Sequence, residues 1–343
     1  MKISNWDDYL IHQVAKPFDT LGTDNPNFMD RLWFMAYTDD GKLQMMAGLG
    51  SHTNKGLMDA FLLIRHEGVQ RNIRLSRHLK EDRSYPVVGP LGFEIVEPQQ
   101  RWRIRLDSNE FELGCALDFT ARTAPFLFPP LDFKEQEQLH YKQPGYCTGT
   151  MSFEGKTFEL KSIPAVRDRS WGARKPGIVS GLSMMVVFEA QFATQSATLI
   201  YFDSVGEDFR MRQGALLGDD GTVEEIVQMR QHVTFETGTQ RFTKIVMELE
   251  NRAGRRRTMT ATAISDLCYF SGGGYDGRHG KDYGPFHMEG ERWNVADPSA
   301  VDTVFPYYSR ISRFDLDGEP GIGHVEAFFS QSKDWVYTPT LSK

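Results

Sequence analysis

Strict alternation of apolar and polar positions dominates this chain. Trp102-Arg103-Ile104-Arg105-Leu106, the run from Phe111 to Arg122, Thr150 to Phe153 and Lys156 to Leu160 change character at nearly every residue, and none contains proline. A period of two is the repeat of a strand with one face buried and one face wet. The rhythm returns in Leu182 to Phe192, Ala197 to Asp203, Phe242 to Leu249 and Thr258 to Ile264. Between such runs stand Asp39-Asp40-Gly41, Glu154-Gly155, Asp219-Asp220-Gly221 and Asp317-Gly318, residues that suit tight hairpin turns. The pattern predicts an all-β, antiparallel chain. Helical spacing is scarce, and the best short helix candidates are Asn5 to Gln13 and Val223 to Gln231.

A chain of 343 residues is long for one core and comfortable for two. The strand rhythm stops at Pro125-Phe126-Leu127-Phe128-Pro129-Pro130 and stays away through the polar stretch to Gln143-Pro144-Gly145, which reads as a linker. The expected division is therefore an N-terminal β-barrel domain over 1–145 and a C-terminal one over 146–343.

Composition narrows the classes of function. The 24 Phe, 12 Tyr and 6 Trp suit barrels with aromatic-walled cavities and point to a hydrophobic small molecule as the partner. A net charge of −7 with scattered arginines argues against a nucleic-acid partner, and Arg255-Arg256-Arg257 reads as a solvated hairpin tip. Cys115, Cys147 and Cys268 are odd in number and lack a C-x-x-C spacing, so neither a disulfide framework nor a zinc knuckle is indicated. The acidic start Met1 to Asp8 is unlike a signal peptide, and no run reaches the roughly 18 apolar residues of a membrane span. A cytoplasmic protein is expected, with a homodimer left open.

The densest concentration of chemistry is Val166-Arg167-Asp168-Arg169-Ser170-Trp171-Gly172-Ala173-Arg174. An acid among arginines can stay ionised or orient them, and an indole can face a cation or an apolar ligand. An Arg-Asp network that locks a strand over a packing tryptophan accounts for the same residues. In Tyr201-Phe202-Asp203, alternation puts phenol and carboxylate on one strand face, where they form a candidate proton-transfer pair if that face is buried. The stretch Gly48 to Asp59 holds His52 but lacks phosphate-loop spacing. His279 and His287, beyond the glycines of Gly272 to Gly280, lack a metal-ligand spacing. No Gly-x-Ser-x-Gly elbow occurs. Neither a metal nor a cofactor is expected.

Asp168-Arg169-Ser170-Trp171-Gly172 resembles the Asp-His-x-Trp-Gly signature of the carotenoid 1,2-hydratase and AttH-like family, whose members consist of two lipocalin-like barrels. Tyr201-x-Asp203 is similar to the Tyr-x-Asp pair of that family's hydratases. The resemblance implies two lipocalin-like domains and a lyase- or isomerase-type reaction (hydratase, dehydratase, isomerase or cyclase) on an isoprenoid, steroid or aromatic molecule. With it, the catalytic candidates are Asp168 or Asp203 as acid/base and Tyr201 as hydrogen-bond donor, with Trp171 as wall or cation stabiliser and Arg169 or Arg174 as substrate anchor; His52 is a further candidate substrate contact from the residues alone. Arg169 stands where the family has histidine, and a guanidinium does not shuttle protons. A non-catalytic carrier of an apolar ligand is the alternative.

Overall fold

The computed structural model describes residues 3–12, 14–15, 23–79, 85–133, 136–173, 181–207, 209–297 and 306–342, and every alternating run falls on a strand. The first sheet takes β1 (Phe28–Tyr37), β2 (Leu43–His52), β3 (Leu57–His66), β4 (Val69–His78), β5 (Val87–Val88), β6 (Leu91–Glu97), β7 (Arg101–Leu106), β8 (Leu113–Ala121), β9 (Phe126–Leu127), β10 (Leu131–Phe133), β11 (Gln136–Phe153) and β12 (Lys156–Ala173). The second takes β13 (Leu182–Gln191), β14 (Gln195–Ser204), β15 (Arg210–Gly218), β16 (Val223–Phe235), β17 (Phe242–Asn251), β18 (Arg256–Ala263) and β19 (Cys268–Tyr269). After β20 (Phe286–Asn294), β21 (Tyr308–Leu316) and β22 (Glu319–Phe329) complete it.

Hairpin chemistry sets much of this order. Glu154-Gly155 and Asp317-Gly318 both have positive φ at each residue, the backbone that a tight turn between twisted antiparallel strands requires. β13 through β18 follow one another as neighbours, and pairing of β18 with β21 closes an eight-stranded barrel. The first sheet curls into a half-barrel. β20 leaves the second half of the chain to pair with β4 at the edge of the first sheet, Phe286 opposite Arg77 through Asn294 opposite Val69, and so stitches the halves together.

The all-β, lipocalin-like architecture is as expected, but three details differ. Residue 145 lies inside β11, and the chain leaves the first sheet only after Ala173, so sheet membership moves the division there. The linker-like stretch forms β9, β10 and the start of β11, where Gln138, His140, Lys142 and Gln143 face a buried wall instead of water. Val223 to Gln231 is strand, not helix: a bulge between Ile226 and Gln228 sets the buried Ile226 and Met229 three residues apart and mimics a helical repeat. At the start of the chain only Asn5–Asp8 is helical, as a 3-10 turn, and Gln13 is outside the described residues.

β1 and β2 are buried at every position, so no alternation betrays them. One face of β1 (Leu32, Phe34, Ala36) enters the half-barrel core. The other (Trp33, Met35, Tyr37) packs with Met185, Val187 and Ile200 on the outer wall of the closed barrel. The barrel has its own interior around Val186, Phe188 and Leu199.

Gly172 follows from this packing. Its φ is +131°, and a Cβ there would lie 1.9 Å from the Glu137 carbonyl oxygen on β11. Gly172→Ala is expected to lower unfolding stability in urea by at least the ~1–3 kcal/mol typical of a strained backbone position, with the denaturation midpoint as the measurement.

Candidate functional site

Because β12 is buried on both sides from Pro164 onward, its two sets of side chains there belong to different environments. Arg167, Arg169 and Trp171 point into the half-barrel, where the segment from Ile3 to His12 covers them. Asp8 pairs with Arg167 at 2.8 Å, and Tyr141 donates its hydroxyl to the same carboxylate. Arg169 reaches Asp30 at 2.9 Å and donates to the carbonyls of Arg31 and Tyr9 at 2.6 and 2.9 Å. The His12 ring lies between Asp7 and Asp30, 2.9 and 3.0 Å away, and stacks on Trp171 with ring centres 3.8 Å apart. Burial pushes the His12 pKa down, but the two carboxylates prevail and raise it.

Asp168 and Ser170 point the other way, into a cavity of about 180 Å³ between the two sheets. Strand register lays out its floor. Lys142, Asp168 and Trp33 are opposite one another on β11, β12 and β1, and His140, Ser170 and Arg31 form the next row. The roof comes from the outer face of the closed barrel, with Met185, Val187, Ile200, Phe202 and Met211, while Phe128, Phe270, Tyr275 and Tyr307 close the sides.

Two ionisable groups of residues face this space. His140 Nε2 lies 2.7 Å from Asp168 Oδ2. Burial pushes the Asp168 pKa up, yet His140, with Lys142 and Arg31 behind it, holds it far below the ordinary carboxylate range. An ionised carboxylate can only accept, so Nε2 carries the proton and Nδ1 is left as the basic atom. Nδ1 has no protein partner among the described residues and is not sealed from the cavity. Ser170 is across the strand pair from His140, but no hydrogen bond joins them. The second group is Lys142, held by Glu189 at 3.0 Å and by Glu326 at 3.8 Å, with the Tyr307 hydroxyl donated to Glu326. Burial raises Glu189 to about 7 against the pull of Lys142. Glu326, also opposed by burial, is lowered to about 2 by Lys142 and His324.

Among the described residues named above as acid–base or substrate candidates, Asp168 alone lines this cavity, beside Ser170 of the same segment. Tyr201 and Asp203 share a face, as alternation requires, but that face is the inside of the closed barrel. There the Arg212 guanidinium stacks 3.3 Å from the Tyr201 ring centre and pairs with Asp203. Arg169 and Trp171 are packing residues of the opposite face. His52, at the end of β2, holds Asp59 at 3.2 Å, and Asp59 also takes the His279 ring and the Gly280 N–H. Arg174 lies outside the described residues. His140 and Lys142 were missed because a polar alternation toward a buried wall looks like one toward water; the signal available was their alternation with Leu139 and Tyr141.

The network under β12 is structural, and two measurements check it. Arg169→Met leaves Asp30 buried beside fewer donors and is expected to cost about 3–5 kcal/mol, the cost of breaking a buried ion pair, in denaturant unfolding. The raised His12 pKa contributes stability that is complete below its ordinary value near 6.5 and is lost as pH rises through the higher folded value. The urea midpoint is therefore expected to fall on the alkaline side of that value, with a flatter profile in His12→Gln.

No helix among the described residues is long and apolar enough to cross a membrane. No curated protein matches the sequence. Among solved structures, an AttH-like protein of Nitrosomonas europaea superposes with a TM-score of 0.61 at 14% identity, over 92% of this chain and 98% of that one. Kievitone hydratase of Nectria haematococca superposes with 0.56 at 12%, over 91% and 93%. CghA in complex with Sch210972 superposes with 0.53 at 9%, over 93% and 96%. All have the carotenoid hydratase and AttH-like fold. Over residues 3–330 the sequence matches one family model, and the chain belongs to that family, the family of unknown function DUF8625.

Proposed function

We propose that the chain is a cofactor-independent lyase- or isomerase-type enzyme that moves a proton on an apolar small molecule bound between the two sheets. The observation that carries this reading is the His140–Asp168 pair at 2.7 Å on the cavity floor. A fixed imidazole with one nitrogen held by an ionised acid and the other facing apolar space can act as a general acid–base group.

In the proposed cycle His140 Nδ1 takes a proton from the substrate or returns one, while Asp168 stays ionised and stabilises the imidazolium. Trp33, Phe128 and Phe270 present ring faces and edges to the reacting carbon skeleton and can shelter positive charge. The Tyr307–Glu326–Lys142 cluster provides polar contacts for a substrate oxygen on the far side. A cavity of about 180 Å³ compares with the ~150 Å³ cavity that takes up benzene, so it has room for a reacting portion of one or two rings, or a short isoprenoid unit. The kievitone hydratase neighbour is in keeping with chemistry of this class.

The test is turnover in deuterated water of a panel of isoprenoid, steroid and aromatic alkenes, read by mass spectrometry. A product with solvent deuterium on carbon is expected, and His140→Gln and Asp168→Asn should each slow its formation by about 10²–10⁴-fold, the usual worth of a general acid–base group. Ligands retained by the protein but returned unchanged and unlabelled would favour the carrier instead.

A further inference from the structure

We infer that Arg31 anchors an anionic oxygen group of the ligand, so that the molecule bound between the sheets is a small apolar acid with a carboxylate or an ionised enol or phenol. This inference rests on the cavity being a ligand site, as proposed above.

Arg31 is on β1, between Ser170 of β12 and Gly50 of β2, and is 7% exposed. The other charged groups on the cavity wall have opposite partners. Asp168 holds His140, while Lys142 is shared by Glu189 and Glu326. One strand beyond Gly50, Asp59 is taken by His52, His279 and the Gly280 N–H. Among the described residues no carboxylate lies within ion-pairing distance of the Arg31 guanidinium, and its side chain makes no hydrogen bond. The Tyr275 ring lies against it, with its centre 4.7 Å from the guanidinium carbon. Stacking there fixes the plane of the fork but uses none of its five N–H donors. Those nitrogens are not sealed by protein, and the residue lines the cavity.

A guanidinium taken out of water with its donors unused is costly. The cost is recovered when a planar anion meets the fork, since charge-assisted paired hydrogen bonds are among the strongest in proteins. Arg31 is beside Ser170 and one row from Asp168 on the same floor, so an acid held there has its apolar body beside His140 and under Met185, Ile200 and Phe202. The same contact sets which end of the ligand faces the imidazole.

Isothermal titration with 2-naphthoate and with its neutral counterpart 2-naphthalenemethanol tests this. The wild-type protein is expected to bind the carboxylate about 10-fold or more tightly than the alcohol, in line with the worth of a charge-assisted bond. Arg31→Gln should remove that preference and leave alcohol binding within a factor of three or so, a range that two unrelated changes would not share. Arg31→Lys, which keeps charge without the planar fork, should retain part of the preference; if the Gln variant does not fold, the Lys variant must weaken naphthoate and spare the alcohol. Equal binding of both probes by wild type, or a preference untouched in the variants, overturns the role of Arg31 alone. Binding of neither probe overturns the cavity as a ligand site, and with it the reading beneath this inference.

Discussion

The ion pairs of Arg167 and Arg169 with Asp8 and Asp30 are the constraint on which the site depends. They are on the face of β12 that is turned away from the cavity, packed under the first residues of the chain, and they fix the strand where its side chains change environment at every step. With Arg169 committed to Asp30 and to the Arg31 and Tyr9 carbonyls, Asp168 and Ser170 must face the opposite sheet. A slip of one residue would exchange the two sets and place buried arginines against the apolar wall of the closed barrel. The charges under β12 thus act as a register lock, and Gly172, where β11 approaches too closely for any Cβ, holds the end of the same strand.

The cavity shows why two curved sheets packed face to face suit chemistry on apolar molecules. Each sheet keeps an apolar core of its own, so the interface between them need not be wholly hydrophobic to hold the fold. Most of it is: Trp33, Met35 and Tyr37 meet Met185, Val187 and Ile200. Where β11 and β12 contribute His140, Lys142 and Asp168, each charge is balanced by a partner from a neighbouring strand or the facing barrel. Burial raises Glu189 to about 7, while around the same lysine the pull of Lys142 and His324 outweighs burial and lowers Glu326 to about 2, and separated values of this kind are typical of sites that handle protons.

Much of the architecture was legible in the sequence. The half-buried strands β7, β8, β17 and β18 announced themselves by alternation, and Glu154-Gly155 and Asp317-Gly318 announced their hairpins. The strands β1 and β2 did not, because a strand covered on both faces has no polar side to mark its period. β16 was disguised by its bulge, and the start of β11 by its polar residues, which periodicity cannot tell from solvent-facing ones. The site was legible at Asp168 and no further. Tyr201 and Asp203 were correctly placed on a common face, but a sequence does not state which face of a barrel strand looks inward and which meets a second sheet.

By itself, then, the sequence determined the local and periodic properties of the chain: all-β, hairpin-linked, rich in aromatics, with an unusual cluster of charge and indole on one strand. These follow from the conformational preferences of each residue and its immediate neighbours. The tertiary structure decided what the cluster is for. Only the packing of the half-barrel against the closed barrel splits β12 into a structural face and a cavity face. Only strand register brings His140, 28 positions before Asp168 in the chain, to within 2.7 Å of it. Such contacts depend on which strands become neighbours, a choice set by the burial of whole faces and not by any short segment.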